Sequence, residues 1–329
     1  MNNLNNLRSI ITSKILSNIP PRVKPIDYLM ETLDISRESV YRRIRGDISF
    51  TLEEIAKLSI ELGFSIDELI MKDMPSRVFF NLHTTASQNP SDIFISIYQR
   101  YFSNTFDLSY VKDAESIMVL NHIPPEFIIF FNNLYKFLYY RWMHQHQEAS
   151  LKYCYSDITM PDELVSLQHK AVDNLKLIKN NTLIVDSNVF LNLIREIQYY
   201  YKRRLINETE FLALKNDLIG LVNKMEGIAQ TGYYNHNAKF NFYLSSLNID
   251  SSSRFMKFDE QMRSMFFVNS IEPVVVMNPN LCTMHKKWLD SMRKYATLIT
   301  QSNEILQVKY FNKQRNYIEE ISDNSIIVY

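Results

Sequence analysis

Arg37, Arg42, Arg43 and Arg45 fall within nine residues of the stretch "LDISRESVYRRIRGDISFTLEEIAKL" (Leu33–Leu58). A guanidinium is a planar fork of donors that matches guanine O6/N7 or a phosphate bidentately, where an ammonium offers only a point charge. On a helix at about 100° per residue, Val40 and Ile44 lie about 40° apart and form an apolar back. Glu38, Arg42 and Arg45 gather on the opposite side, with Ser39 and Tyr41 flanking them. Arg37 sits in the first turn, the end that usually meets base edges in a helix-turn-helix. Glu38 and Arg42, spaced i, i+4, are expected to form a surface pair of about 0.3–0.5 kcal/mol.

The elements that must hold these residues are marked by their punctuation. Ser36 is a good N-cap, and Gly46 stands where the helix should end. Thr51-Leu-Glu-Glu54 has the form of a capping box, as does Ser65-Ile-Asp-Glu68, so helices should start near 52 and 66, with Gly63 stopping the first of them. Pro25 suits the first turn of a helix through "PIDYLMETL", and only Leu33-Asp-Ile35 separates that helix from the arginine segment. A short connection of this kind predicts a helix-turn-helix.

With these residues in view, about 25–72 resembles a helix-turn-helix of the Cro/C1 repressor superfamily. The form "SRESVYRRIRGDISFTLEEIAKLSIELGFSIDELI" (Ser36–Ile70) is especially similar to BetR-like bacterial transcriptional regulators. Leu52, Ile55, Ala56, Leu62, Ser65, Asp67 and Leu69 occupy the pattern positions after the Arg-Gly that ends the recognition helix. The resemblance implies that Arg37, Glu38, Tyr41 and Arg42 face the major groove, with Ser39, Arg43 and Arg45 on phosphate. Together with the capping Ser36, these form the expected DNA-binding set. The match covers about a seventh of the chain.

Composition bounds the rest. A chain of 329 residues, 46% hydrophobic, predicts two or three domains. Lys+Arg and Asp+Glu balance at 36 each, so attraction to nucleic acid must come from a local patch. Five glycines form no GxxxxGK[ST], GxGxxG or GxSxG, which excludes the common phosphate-cradling and nucleophile-elbow loops. No secretory h-region or long apolar run is evident, and Cys154 and Cys282 read as thiols, so a cytoplasmic protein without a membrane contact is expected.

"MPSRVFFNLHTTASQNPSD" (Met74–Asp92) loses all period and reads as the linker. The expected domains are a helix-turn-helix at 1–75, a linker at 76–91 and a larger body at 92–329. Helices are predicted at about 92–106, 124–147, 161–179, 187–205 and 208–230, then at about 280–298 and 303–321. "KFNFYLSSLNI" (Lys239–Ile249), "SRFMKF" (Ser253–Phe258) and "SMFFVNSIEPVVVM" (Ser264–Met277) read as strands. The predicted fold class is mainly α: an N-terminal helix-turn-helix domain plus a larger helical domain carrying a small antiparallel β-sheet at about 239–277.

Within the body, the aromatic runs "LYKFLYYRWMHQHQ" (Leu134–Gln147) and "IQYYYKRRL" (Ile197–Leu205) read as packing surfaces. His144 and His146 point about 200° apart on a helix and do not suit one metal. Asp157, Asp162 and Glu163 suit loop and helix-start positions better than a catalytic pair. Trp288, Met292 and Tyr295 read as a core stripe, and Lys286, Lys287, Arg293 and Lys294 as a solvated face. These readings predict a non-enzymatic transcriptional regulator without cofactor or metal. It would bind double-stranded DNA as a homodimer, with the body serving dimerisation or sensing of a small-molecule or protein effector. The alternative is an interaction or signalling adaptor whose helix-turn-helix makes no DNA contact.

Overall fold

The computed structural model describes residues 7–20, 23–66, 89–106, 114–146, 153–174, 179–235, 238–259, 261–268 and 271–322. The chain divides into two compact units, Met1–Phe79 and Phe80–Tyr329, here called the head and the body. The linker expected at 76–91 and the helix expected from 66 lie almost wholly outside the described residues.

Among the described residues the head contains four helices: α1 (Leu7–Asn18), α2 (Pro25–Leu33), α3 (Arg37–Arg45) and α4 (Leu52–Leu62). Their core is small and mostly aliphatic. Ile11 and Ile15 of α1 meet Leu29 of α2, Val40 of α3, Leu58 of α4 and the loop residues Phe50 and Phe64. Burying each of these side chains contributes about 1.5–3 kcal/mol, so a few contacts decide whether the head folds. α1 was not anticipated from the sequence, although Leu7, Ile10, Ile11 and Ile15 repeat at helical spacing.

The body contains α5 (Pro90–Phe106), β1 (Ala114–Leu120), α6 (Pro125–Ile128), α7 (Asn132–His146), α8 (Asp162–Asn174), β2 (Asn180–Val185), α9 (Leu191–Lys202) and α10 (Glu208–Thr231). It continues with β3 (Tyr233–Asn235), β4 (Ala238–Ser245), β5 (Ser253–Phe258), β6 (Gln261–Val268), β7 (Glu272–Val276), α11 (Pro279–Lys294), β8 (Ala296–Leu298) and α12 (Glu304–Glu319). The strands join in one eight-stranded sheet of order β3-β4-β2-β1-β5-β6-β7, with β8 also on β4. β1, β2 and β4 run parallel, while β5, β6 and β7 continue antiparallel from β1.

The expected small antiparallel sheet at about 239–277 is thereby corrected to a sizeable mixed sheet, and the mainly α fold class with it. The parallel centre comes from "AESIMVL" and "NNTLIV", the strands β1 and β2. Both are buried on both faces, as parallel strands flanked by helices are, and so carry no polar alternation. On one face Met118, Leu120, Leu183, Val185, Phe240 and Phe242 pack under the helices. On the other, Ile117, Val119, Ile184 and Phe255 pack with Cys282 and Leu289 of α11.

Other boundaries shift for local reasons. The single helix expected at 124–147 is broken between α6 and α7, and Asp217 of α10 caps the second piece by accepting from the backbone N–H of Asn133 (2.8 Å) and Leu134 (3.1 Å). Gly220, one turn further along α10, makes room for the break: a Cβ there would stand 2.7 Å from the Phe131 ring. The stretch 264–277 divides into β6 and β7, and the last strand β8 replaces the end of the helix expected at 280–298. Trp288 and Tyr295 are about half exposed, so the expected core stripe on α11 is corrected to a largely outward one.

Candidate nucleic-acid interface

α2 ends at Asp34, whose backbone is left-handed (φ 53°), and the chain turns through Ile35 into Ser36. The Ser36 hydroxyl accepts from the Ser39 N–H (3.3 Å), fixing where α3 begins, and also donates to Ser39 Oγ (3.0 Å). Gly46 closes α3 at φ 84°, a conformation costing an L side chain about 1–2 kcal/mol. The Gly46 carbonyl accepts from Arg8 of α1 at 3.3 Å, a contact that the sequence reading missed together with α1. The Thr51–Glu54 box forms as read: Thr51 Oγ1 accepts from the Glu54 N–H and Glu54 Oε2 from the Thr51 N–H (3.2 and 2.9 Å).

This frame sorts the predicted residues. Val40 is fully buried and Ile44 packs beside it, so the opposite side of α3 is turned outward. Glu38, Arg42 and Arg45 are exposed on that side, Tyr41 is exposed at its flank, and Arg37 is exposed in the first turn, nearer the Ile44 side. Arg37 lies 3.9 Å from Asp27, both side chains being well exposed, and Arg45 stands over the Tyr41 ring at 5.8 Å. Glu38 and Arg42 form no ion pair or side-chain hydrogen bond with each other, contrary to the i, i+4 expectation, which leaves the Arg42 fork unengaged among the described residues.

Arg43 behaves differently from its neighbours. Its Nε donates to Glu54 Oε2 (2.9 Å), its Nη2 to Glu54 Oε1 (2.7 Å) and its Nη1 to the Ser39 carbonyl (3.3 Å). The two side chains are only 12% and 15% exposed. A bidentate pair spends the geometry that would otherwise be offered to phosphate, so Arg43 braces α3 against the start of α4 instead of presenting its fork outward. Burial pushes the Glu54 carboxyl up, but hydrogen bonds from Arg43 and the Thr51 N–H outweigh it and hold the carboxyl below its ordinary value.

The body's suspected chemistry resolves into structure. His144 lies in the aromatic packing around Tyr140 and Tyr200, and His146 stacks on Trp142 at 3.7 Å. Asp157 accepts from the Cys154 N–H (2.8 Å), and Glu163 from Gln99 (2.7 Å). Lys286 and Arg293 both pair with Asp290. Cys282 is buried and Cys154 partly so. Among the described residues there is no cluster of His, Cys, Asp or Glu suited to a metal, and no helix long and apolar enough to cross a membrane. No protein-family model, curated protein or solved structure matches the chain.

Proposed function

We propose that the chain is a sequence-specific DNA-binding transcriptional regulator of the cytoplasm, with α3 as the recognition helix. The observation that carries this reading is the division among adjacent arginines. Arg43 is consumed in holding the helix rigid, whereas Arg42, one position away, is held outward with its fork unengaged. A rigid backbone beneath a free guanidinium is what bidentate base recognition requires. Arg37, Glu38, Tyr41 and Arg42 form the base-reading set, Arg45 and Ser39 lie at its margin for phosphate, and Arg43 leaves the set. One short helix reads a half-site weakly, so the active form is a homodimer.

A second reading has its own support. Leu52 and Ile60, eight residues apart on α4, are 72% and 81% exposed, an apolar line on a head whose acidic and basic residues balance. That line suits an adaptor docking on protein without DNA contact. Selection of fragments from a random duplex pool by the purified full-length chain at low salt separates the two. The regulator yields a site with two halves about one helical turn apart and an affinity that falls steeply with salt. Arg42→Ala then weakens the selected site by about 1–3 kcal/mol. No enrichment at low salt removes the regulator in favour of the adaptor.

A further inference from the structure

Beside the carboxyl end of β1, two cavities of about 230 and 250 Å³ meet at a shared wall of Leu138, Arg141, Glu196 and Ile271. One lobe is lined by Asn121 and His122, which directly follow β1, by Asn192 of α9, and by the apolar Ile123, Ile128 and Leu193. The other is the more polar, with Gln145 and His146 beside the aromatic residues Phe94, Tyr98 and Trp142, and Phe94 and Tyr98 stacked at 4.4 Å. The carboxyl ends of parallel strands are where open α/β sheets accept ligands, because the helices diverge there.

The pair between the lobes has capacity left over. Arg141 Nη1 donates to Glu196 Oε2 at 2.6 Å, and neither side chain makes another hydrogen bond or ion pair. A guanidinium has five N–H donors and a carboxylate two oxygens, so both can still bind outward. A purely anionic guest on Arg141 would face Glu196, and a purely cationic one on Glu196 would face Arg141. A guest carrying both charges a few ångströms apart satisfies the two together. In the more polar lobe the Tyr98 hydroxyl is fully buried without a hydrogen-bond partner, a condition that a polar guest atom relieves.

We propose that this cleft binds a small zwitterion, an L-amino acid with an apolar side chain. Its carboxylate lies on Arg141, its ammonium on Glu196 and its side chain among Ile123, Ile128 and Leu193 of the less polar lobe. The hydroxyl of Tyr98 serves the charged end.

Calorimetric titration of the full-length protein with each of the twenty common L-amino acids tests the assignment, and it needs no DNA, so it succeeds or fails apart from the reading of the head. Saturable binding of an apolar member, L-phenylalanine foremost, is expected. The single-charge analogues 3-phenylpropionate and 2-phenylethylamine should bind at least about tenfold more weakly. Arg141→Gln and Glu196→Gln should each weaken the amino acid by a similar factor, and Tyr98→Phe by less. If Arg141→Gln does not fold, Glu196→Gln, at the more exposed member of the pair, carries the test. Failure of all twenty to bind, equal binding of the analogues, or unchanged affinity in Glu196→Gln overturns the proposal.

Discussion

Each unit holds an arginine against a glutamate, and the two pairs are put to different uses. In the head, Arg43 and Glu54 meet near the surface and join two helices that are already capped at Ser36, Gly46 and Thr51. In the body, Arg254 of β5 and Glu126 of α6 are each 3% exposed, and the Tyr101 hydroxyl donates to the same carboxylate. The head turns most of its charge outward on a small, mostly aliphatic core, whereas the body draws charge into an extensive aromatic one. Both pairs hold elements together, but the head pair does so near the surface beside exposed charges of α3, whereas the body pair does so in the interior.

The largest effect that should separate them is on the buried pair. Glu126→Gln leaves Arg254 charged in the interior and should cost the body about 3–5 kcal/mol, with Glu126→Leu/Arg254→Met recovering much of it. Urea unfolding followed by tryptophan fluorescence reads this cleanly, because both tryptophans, Trp142 and Trp288, lie in the body. A double variant no better than the single one would mean that the pair is not an interchangeable packing unit.

Acid should divide the units next. His285 is buried with its Nε2 3.0 Å from Ser253 Oγ and its Nδ1 2.9 Å from Ser264 Oγ, and burial holds the imidazole down to about 4. The unfolded chain, titrating near 6.5, takes up that proton first. The His285 contribution to body stability is thus flat above pH 6.5 and falls between about 6.5 and 4, by about 3 kcal/mol. His285→Gln should remove that part of the slope, leaving the smaller part due to the partly buried His144. In the head Glu54, like the exposed Glu53, is a depressed carboxyl, so its contribution persists to about pH 4.5 and is lost only below. Tryptophan-detected unfolding at pH 7 and pH 4, beside hydrogen exchange of the α3 and α4 amides, would show whether the two units part in this order.

Smaller effects sharpen the reading of the head. Arg43→Ala should lower head stability by about 1–2 kcal/mol while a selected DNA site keeps its sequence preference, the reverse of Arg42→Ala. Site-resolved exchange and a base-by-base binding profile distinguish the two. Ser36→Ala removes a cap worth about 1 kcal/mol and should fray the first turn of α3, lowering affinity and stability together. Equal loss of base preference in the Arg42 and Arg43 variants would erase the distinction drawn between them.

What could be read in advance follows from where the information lies. Capping is local, and so Ser36 and Thr51–Glu54 both start helices where their spacing predicts. The outward residues of α3 were legible because Val40 and Ile44 define a back. The diversion of Arg43 was not, since its partner is eleven positions away on another helix. β1 and β2 escaped because burial on both faces erases the alternation by which strands are recognised. The cleft escaped too, because Arg141 and Glu196 lie 55 residues apart and no local period joins them. Short-range punctuation revealed the head, while the body is defined by contacts that only folding brings together.

The pairing of β1 with β5 also sets a timetable. Met118 sits opposite Arg254, and the strand between β1 and β4 is β2, so β1 cannot be enclosed on both edges until the chain is made through Phe258. Until then an apolar strand waits with an open edge, a state prone to association with other chains. The head, whose contacts are local, has no such wait and should form while the ribosome is still making the body. Synthesis therefore produces a folded head well before the sheet of the body is closed, and the interval is the period of greatest exposure to aggregation.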